Sequence, residues 1–127
     1  MPGKPVAEKL LLKPGKKVSF VNPPEGLDQI LGELPEGVQI MESNGGPVDI
    51  VLVFLPGRQA MEELLPKLRG TIKPGGVLWA AYYKGTARVK TDIHRDILHD
   101  YAKSIGLQGV SLIALDEDCS AMRFKLV

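Results

Sequence analysis

Asp49-Ile50-Val51-Leu52-Val53-Phe54-Leu55-Pro56-Gly57 decides how the rest of this 127-residue chain is read. One acid is followed by six apolar residues and a Pro-Gly stop. The run is too short to span a membrane and rich in β-branched residues. It predicts a strand covered on both faces, as in the middle of a parallel sheet with helices above and below.

Elements can be laid out on either side of it. Upstream, Pro5–Leu12 predicts a short helix ended by Lys13-Pro14-Gly15. Lys17–Val21 is a first strand, broken by Asn22-Pro23-Pro24, and Glu25–Leu34 a helix with Leu27, Ile30, Leu31 and Leu34 inward. Val38–Glu42 is a second strand, followed by a Ser43–Pro47 loop. Downstream, Gly57–Arg69 predicts a helix with Ala60, Met61, Leu64, Leu65 and Leu68 inward, kinked or restarted by Pro66. Thr71–Gly76 reads as a loop and Val77–Tyr83 as a fourth strand. A further helix is expected from Thr91, as N-cap with Asp92 in its first turn, to the stop at Gly106. Val110–Leu115 is a fifth strand, Asp116-Glu117-Asp118 an acidic turn, and Ser120–Val127 a sixth strand.

Strand and helix alternate, so the expected domain is α/β with three layers, one mostly parallel sheet of about six strands, and right-handed crossovers. The short last connection makes the sixth strand antiparallel to the fifth. The strand order expected is 2-1-3-4-6-5. The crossing from Glu42 to Asp49 is the tightest step. Its six residues reach about 20 Å extended, against roughly 16 Å needed to return and step over a neighbour.

Residues 1–127 are expected to form one domain, large enough to bury a core without metal or disulfide. The net charge of +1 gives no general attraction to nucleic acid or membrane, so neither is an expected partner. The single cysteine, Cys119, fits a reducing compartment, and Met1–Leu12 is too charged for a signal peptide, so a cytoplasmic location is expected.

Thr71-Ile72-Lys73-Pro74-Gly75-Gly76-Val77-Leu78-Trp79-Ala80 resembles the Leu-Lys-Pro-Gly-Gly segment of class I S-adenosylmethionine-dependent methyltransferases, which have a Rossmann-like fold. Asp49-Ile50-Val51 is similar to the opening of that family's fourth strand, and the terminal hairpin to its last two strands. The whole chain also resembles a small family of uncharacterised bacterial proteins, a domain of unknown function. That likeness rests on Lys13-Pro14-Gly15, Asn22-Pro23-Pro24-Glu25-Gly26, Leu34-Pro35-Glu36-Gly37, Gly46-Pro47-Val48-Asp49 and the acidic turn at Asp116.

The methyltransferase resemblance implies S-adenosylmethionine as cofactor, bound after the first strand and on an acid closing the second. That acid would be Glu42, twenty positions after Asn22. The cofactor loop departs from the pattern. A glycine-rich loop lets bare backbone approach the ligand, whereas Asn22-Pro23-Pro24-Glu25-Gly26 lacks two N–H donors and places a carboxylate at the helix N-terminus. S-adenosylmethionine is therefore not the favoured ligand.

Asn22, Glu25, Glu42 and Arg58 are the cofactor-binding candidates, since a doubly wound sheet opens its crevice at the C-terminal strand ends. Lys84, Arg88, Lys90 and Arg95 follow the same edge and are candidates for holding a small anion or nucleotide. Each competes with an ordinary solvated loop residue. His94 and His99 are five apart, where a helical metal pair wants four, so no metal is expected. Cys119 follows acids that raise a thiol's pKa, Trp79, Tyr82 and Tyr83 suit sheet packing, and no catalytic set can be assembled. The functions open to the sequence are a degenerate, non-catalytic methyltransferase-like binding module, a working methyltransferase with an unusual loop, and a protein-interaction module. The last would be a homodimer paired through a free edge strand.

Overall fold

The computed structural model describes residues 10, 12–23, 27–32, 34, 36–41, 48–83, 92–115 and 119–126. Its elements are β1 (Lys17–Val21), α1 (Leu27–Leu31), β2 (Gln39–Met41), β3 (Val48–Phe54), α2 (Arg58–Arg69), β4 (Ile72–Tyr83), α3 (Arg95–Ser104), β5 (Leu107–Ala114) and β6 (Cys119–Leu126). They form one six-stranded sheet in the order β2-β1-β3-β4-β6-β5, the order expected from the sequence. β1 to β4 pair in parallel, and β6 runs antiparallel to both β4 and β5. β2 pairs parallel with β1, Val18 opposite Ile40. Residues 42–47, which make the tight crossing, lie outside the described part, as does most of the helix expected over residues 5–12.

The central strand is two-sided, as its composition requires. Val51 and Val53 pack with Met61, Leu65 and Leu68 of α2 and with Leu98 and Ala102 of α3. Ile50, Leu52 and Phe54 point the other way, onto Leu27 and Leu31 of α1 and onto Leu10 and Leu12. Helices thus cover both faces and the molecule has three layers. Each such side chain taken from water contributes about 1.5–3 kcal/mol. On the α1 face the Trp79 indole N–H donates to the Leu10 carbonyl at 2.8 Å, which fastens the N-terminal segment to β4 across the buried layer. Ser19, also buried, has no partner for its hydroxyl among the described residues.

Several expectations need correcting. β4 begins at Ile72, inside the expected loop. Ile72 lies opposite Val48 and Val77 opposite Ile50, so five steps on β4 match two on β3 and the chain between bulges outward. Only glycine fits at 76, where a Cβ would stand 2.8 Å from the Lys73 carbonyl and 3.0 Å from that of Asp49. Pro66 neither breaks nor restarts α2. The carbonyl it cannot serve, that of Glu62, accepts a hydrogen bond from the Tyr101 hydroxyl of α3 at 3.5 Å. α1 is described over five residues and is followed by Gly32 in the left-handed conformation, φ +71°, so Leu34 falls beyond it. α3 starts at Arg95, not Thr91, and β5 starts at Leu107, with a register shift between Gly109 and Ser111. Cys119 is buried at the start of β6 and not in the turn before it.

Candidate functional site

The parallel strands give the molecule two chemically different ends. At their C-terminal end, Asn22 follows β1 in the left-handed conformation, φ +49°, which asparagine tolerates better than most residues. Its carboxamide donates to the Phe54 carbonyl at 2.9 Å, joining the ends of β1 and β3. The Phe54 ring meets Tyr83 edge-on, with centroids 5.2 Å apart, and so draws in the end of β4. Pro23 comes next and has no N–H to offer.

Arg58 opens α2 on the same edge. Gly57 at its N-cap supplies no side-chain cap. The Arg58 N–H instead donates to the Asp92 carboxylate at 2.6 Å, so an acid from the segment before α3 occupies the positive end of α2. Arg58, Asp92, Gln59 and Glu63 border an open depression of about 450 Å³. Arg95, at the start of α3, is exposed and lies 3.7 Å from Asp96. Its charge also acts on Tyr82, whose hydroxyl is pushed above 10.0 chiefly by burial, with Arg95 opposing. Of the residues singled out in the sequence, the structure thus brings Asn22, Arg58 and Arg95 to one edge, with acids beside both arginines. Glu25, Glu42, Lys84, Arg88 and Lys90 lie outside the described residues. Among the described residues no three His, Cys, Asp or Glu side chains gather as a metal site.

The N-terminal end holds a charged depression that the linear reading missed. Asp49, second residue of β3, accepts the Lys17 N–H at 2.9 Å and faces the Lys73 ammonium at 3.5 Å. The Lys17 hydrogen bond holds its carboxyl below the ordinary 3.8, the charges of Lys73 and Lys16 add to this, and burial opposes them. Lys13, Lys16, Asp49 and Lys73, with Gly75 and Gly76, line a depression of about 310 Å³. The signal was present only as separate Lys-Pro-Gly turns, sixty residues apart.

The Asn22 amide is given to Phe54, and the first N–H of α2 is given to Asp92. No helix among the described residues is long and apolar enough to cross a membrane.

No family model matches the sequence, and no curated protein matches it. Solved structures do match in shape. A SAM-dependent methyltransferase from Aquifex aeolicus has a TM-score of 0.63 at 17% identity, over 95% of this chain and 89% of that one. A TehB-like SAM-dependent methyltransferase from Corynebacterium glutamicum gives 0.63 at 10% identity, over 96% and 86%. The 1,6-didemethyltoxoflavin-N1-methyltransferase of Burkholderia thailandensis, solved with S-adenosylhomocysteine, gives 0.61 at 13% identity, over 95% and 76%. At such identities the likeness shows the fold alone: this chain has the Rossmann-like fold of the SAM-dependent methyltransferases.

Proposed function

We propose that the chain is a degenerate, non-catalytic member of this fold, a binding module whose ligand edge lies at the C-terminal ends of β1, β3 and β4. The observation that carries this reading is the use of Asn22. In a cofactor-binding loop, the turn after the first strand presents backbone N–H groups to the ligand. Here the first side chain of that turn ties two strands together, and Pro23 follows it. Asp92 adds a negative charge where a helix N-terminus would otherwise attract one. The ligand proposed for this edge is a small anion or nucleotide held by side chains, Arg58 and Arg95 among the described residues, with Lys84, Arg88 and Lys90 as the further candidates from the sequence.

Calorimetric titration with S-adenosylmethionine and S-adenosylhomocysteine tests the reading. The expected dissociation constant is about 1 mM or weaker, equivalent to only about 4 kcal/mol. Changing Arg58, Arg88 and Lys90 together to Gln is expected to abolish anion binding at this edge with little change in Tm. A working methyltransferase is the second reading, favoured by the methyltransferase fold, which spans nearly the whole chain. A micromolar S-adenosylmethionine complex seated on Asn22 and Glu42 would establish it in place of the first.

A further inference from the structure

Leu12-Lys13-Pro14-Gly15 and Ile72-Lys73-Pro74-Gly75 are near copies of one another in sequence. Their glycines also share one conformation. Gly15 has φ +79° and Gly75 φ +80°, values that glycine adopts freely at the third position of a type II turn, with proline before it. In the first turn the Lys16 N–H donates to the Lys13 carbonyl at 3.2 Å and closes the turn. In the second, the Lys73 carbonyl lies so close to Gly76 that a Cβ there would collide with it. The first precedes β1 and the second is the bulge of β4. These strands flank β3, so both turns come to the N-terminal end of the sheet, beside Asp49.

We propose that these paired Lys-Pro-Gly turns form a binding site for a compact phosphate-type dianion, at the end of the sheet opposite the methyltransferase-like edge. This inference stands independently of the function proposed for that edge. Lys13, Lys16 and Lys73 face one depression with a single carboxylate among them. Both oxygens of that carboxylate are engaged, one by the Lys17 N–H and one by Lys73, so Asp49 positions Lys73 and does not compete for it as an open acceptor. Lys13 and Lys16 are exposed and have no ion pair among the described residues. The excess of two positive charges matches a phosphate monoester. The volume of about 310 Å³ admits a phosphate group with a small substituent. The rigidity of the turns matters as much as the charge, because a lysine held by a proline-fixed turn loses less freedom on binding than one on a mobile loop.

The test is a titration of the isotope-labelled chain with inorganic phosphate and pyrophosphate at low ionic strength, followed through backbone amide shifts. The expected result is a saturable change at Gly15, Lys16, Gly75, Gly76 and their neighbours, distinct from any change at the Arg58 edge, with pyrophosphate the tighter of the two at these turns. The double variant Lys13→Gln, Lys16→Gln is expected to keep the wild-type Tm and weaken binding about tenfold or more, since each charged hydrogen bond lost contributes substantially. Arg58→Gln, at the far end of the sheet, is expected to leave it unchanged. No saturable shift at these turns, equal affinity there in the lysine double variant, or shifts at the Arg58 edge alone would each overturn the proposal. So would binding of a single-stranded oligonucleotide without binding of phosphate or pyrophosphate.

Discussion

Asp92 caps a helix that begins 34 residues before it, and this can be tested quantitatively. In Asp92→Ala the Arg58 N–H loses its acceptor, and no side chain of Gly57 replaces it. Loss of an N-cap acceptor costs about 1 kcal/mol, and loss of the charge at the helix terminus adds roughly 0.5 kcal/mol at this exposed position. An unfolding entropy of about 2.1 cal/mol/K per residue gives about 0.27 kcal/mol/K for 127 residues, so the total lowers Tm by about 5–6 °C. Asp92→Asn retains an acceptor and should lose only the charge component, an effect that fades in high salt. The sharper result comes from Gly57. Its backbone is extended, at φ −168°, which any residue adopts, but a Cβ there would stand 2.9 Å from the Asp92 carboxylate. Gly57→Ser should therefore destabilise the wild type and stabilise Asp92→Ala, where the new hydroxyl caps α2 locally. Urea melts followed by circular dichroism and tryptophan fluorescence measure all five proteins. The same sign for Gly57→Ser in both backgrounds would refute the capping argument.

Other outcomes can be checked in the same format. Val53→Asp places an unpaired charge at a fully buried position and should abolish cooperative folding; a melt near the wild-type temperature would show that β3 is not central. Ser19→Ala removes a buried hydroxyl that lacks a partner among the described residues and should be neutral or stabilising by about 1 kcal/mol, whereas a clear loss of stability would reveal a bond to that hydroxyl. Asp49 has a folded pKa below 3.8, so the unfolded chain binds its proton first as the pH falls. Its contribution is complete above the ordinary carboxylate range and is lost progressively below it, so Asp49→Asn should flatten the acid limb of the stability profile. An unchanged slope below pH 3.8 would contradict this.

The parts of the fold visible in the sequence are those set by local pattern or by chain length. The uninterrupted apolar run marked β3, and the short link between β5 and β6 fixed their antiparallel pairing. What escaped were contacts between segments far apart in the chain. Asp92 reads locally as the first turn of its own helix, yet it serves α2. Pro66 reads as a kink or restart, and the Tyr101 hydroxyl that answers its missing donor lies on another helix. The Thr71–Gly76 stretch has the composition of a loop, but the pairing of Ile72 with Val48 extends the strand through it. The lysine-lined depression was invisible for the same reason, since each Lys-Pro-Gly turn signals only a turn until the sheet brings the two together. Asn22 was singled out by position, while its hydrogen bond to Phe54 depends on the φ of one residue.

The placement of β6 between β4 and β5 also governs the order in which the sheet can assemble. β5 has one neighbour among the described strands, β6, which follows it in the chain. It therefore cannot join the sheet alone and must dock as half of a hairpin. The hairpin is local and forms in microseconds, whereas its docking on β4 closes a much longer loop. Until that step the inner edge of β4, from Leu78 to Tyr83, has no pairing partner. The parallel strands can pair before it. Transient opening should release the hairpin first and leave β1 and β3 as the slowest-exchanging backbone.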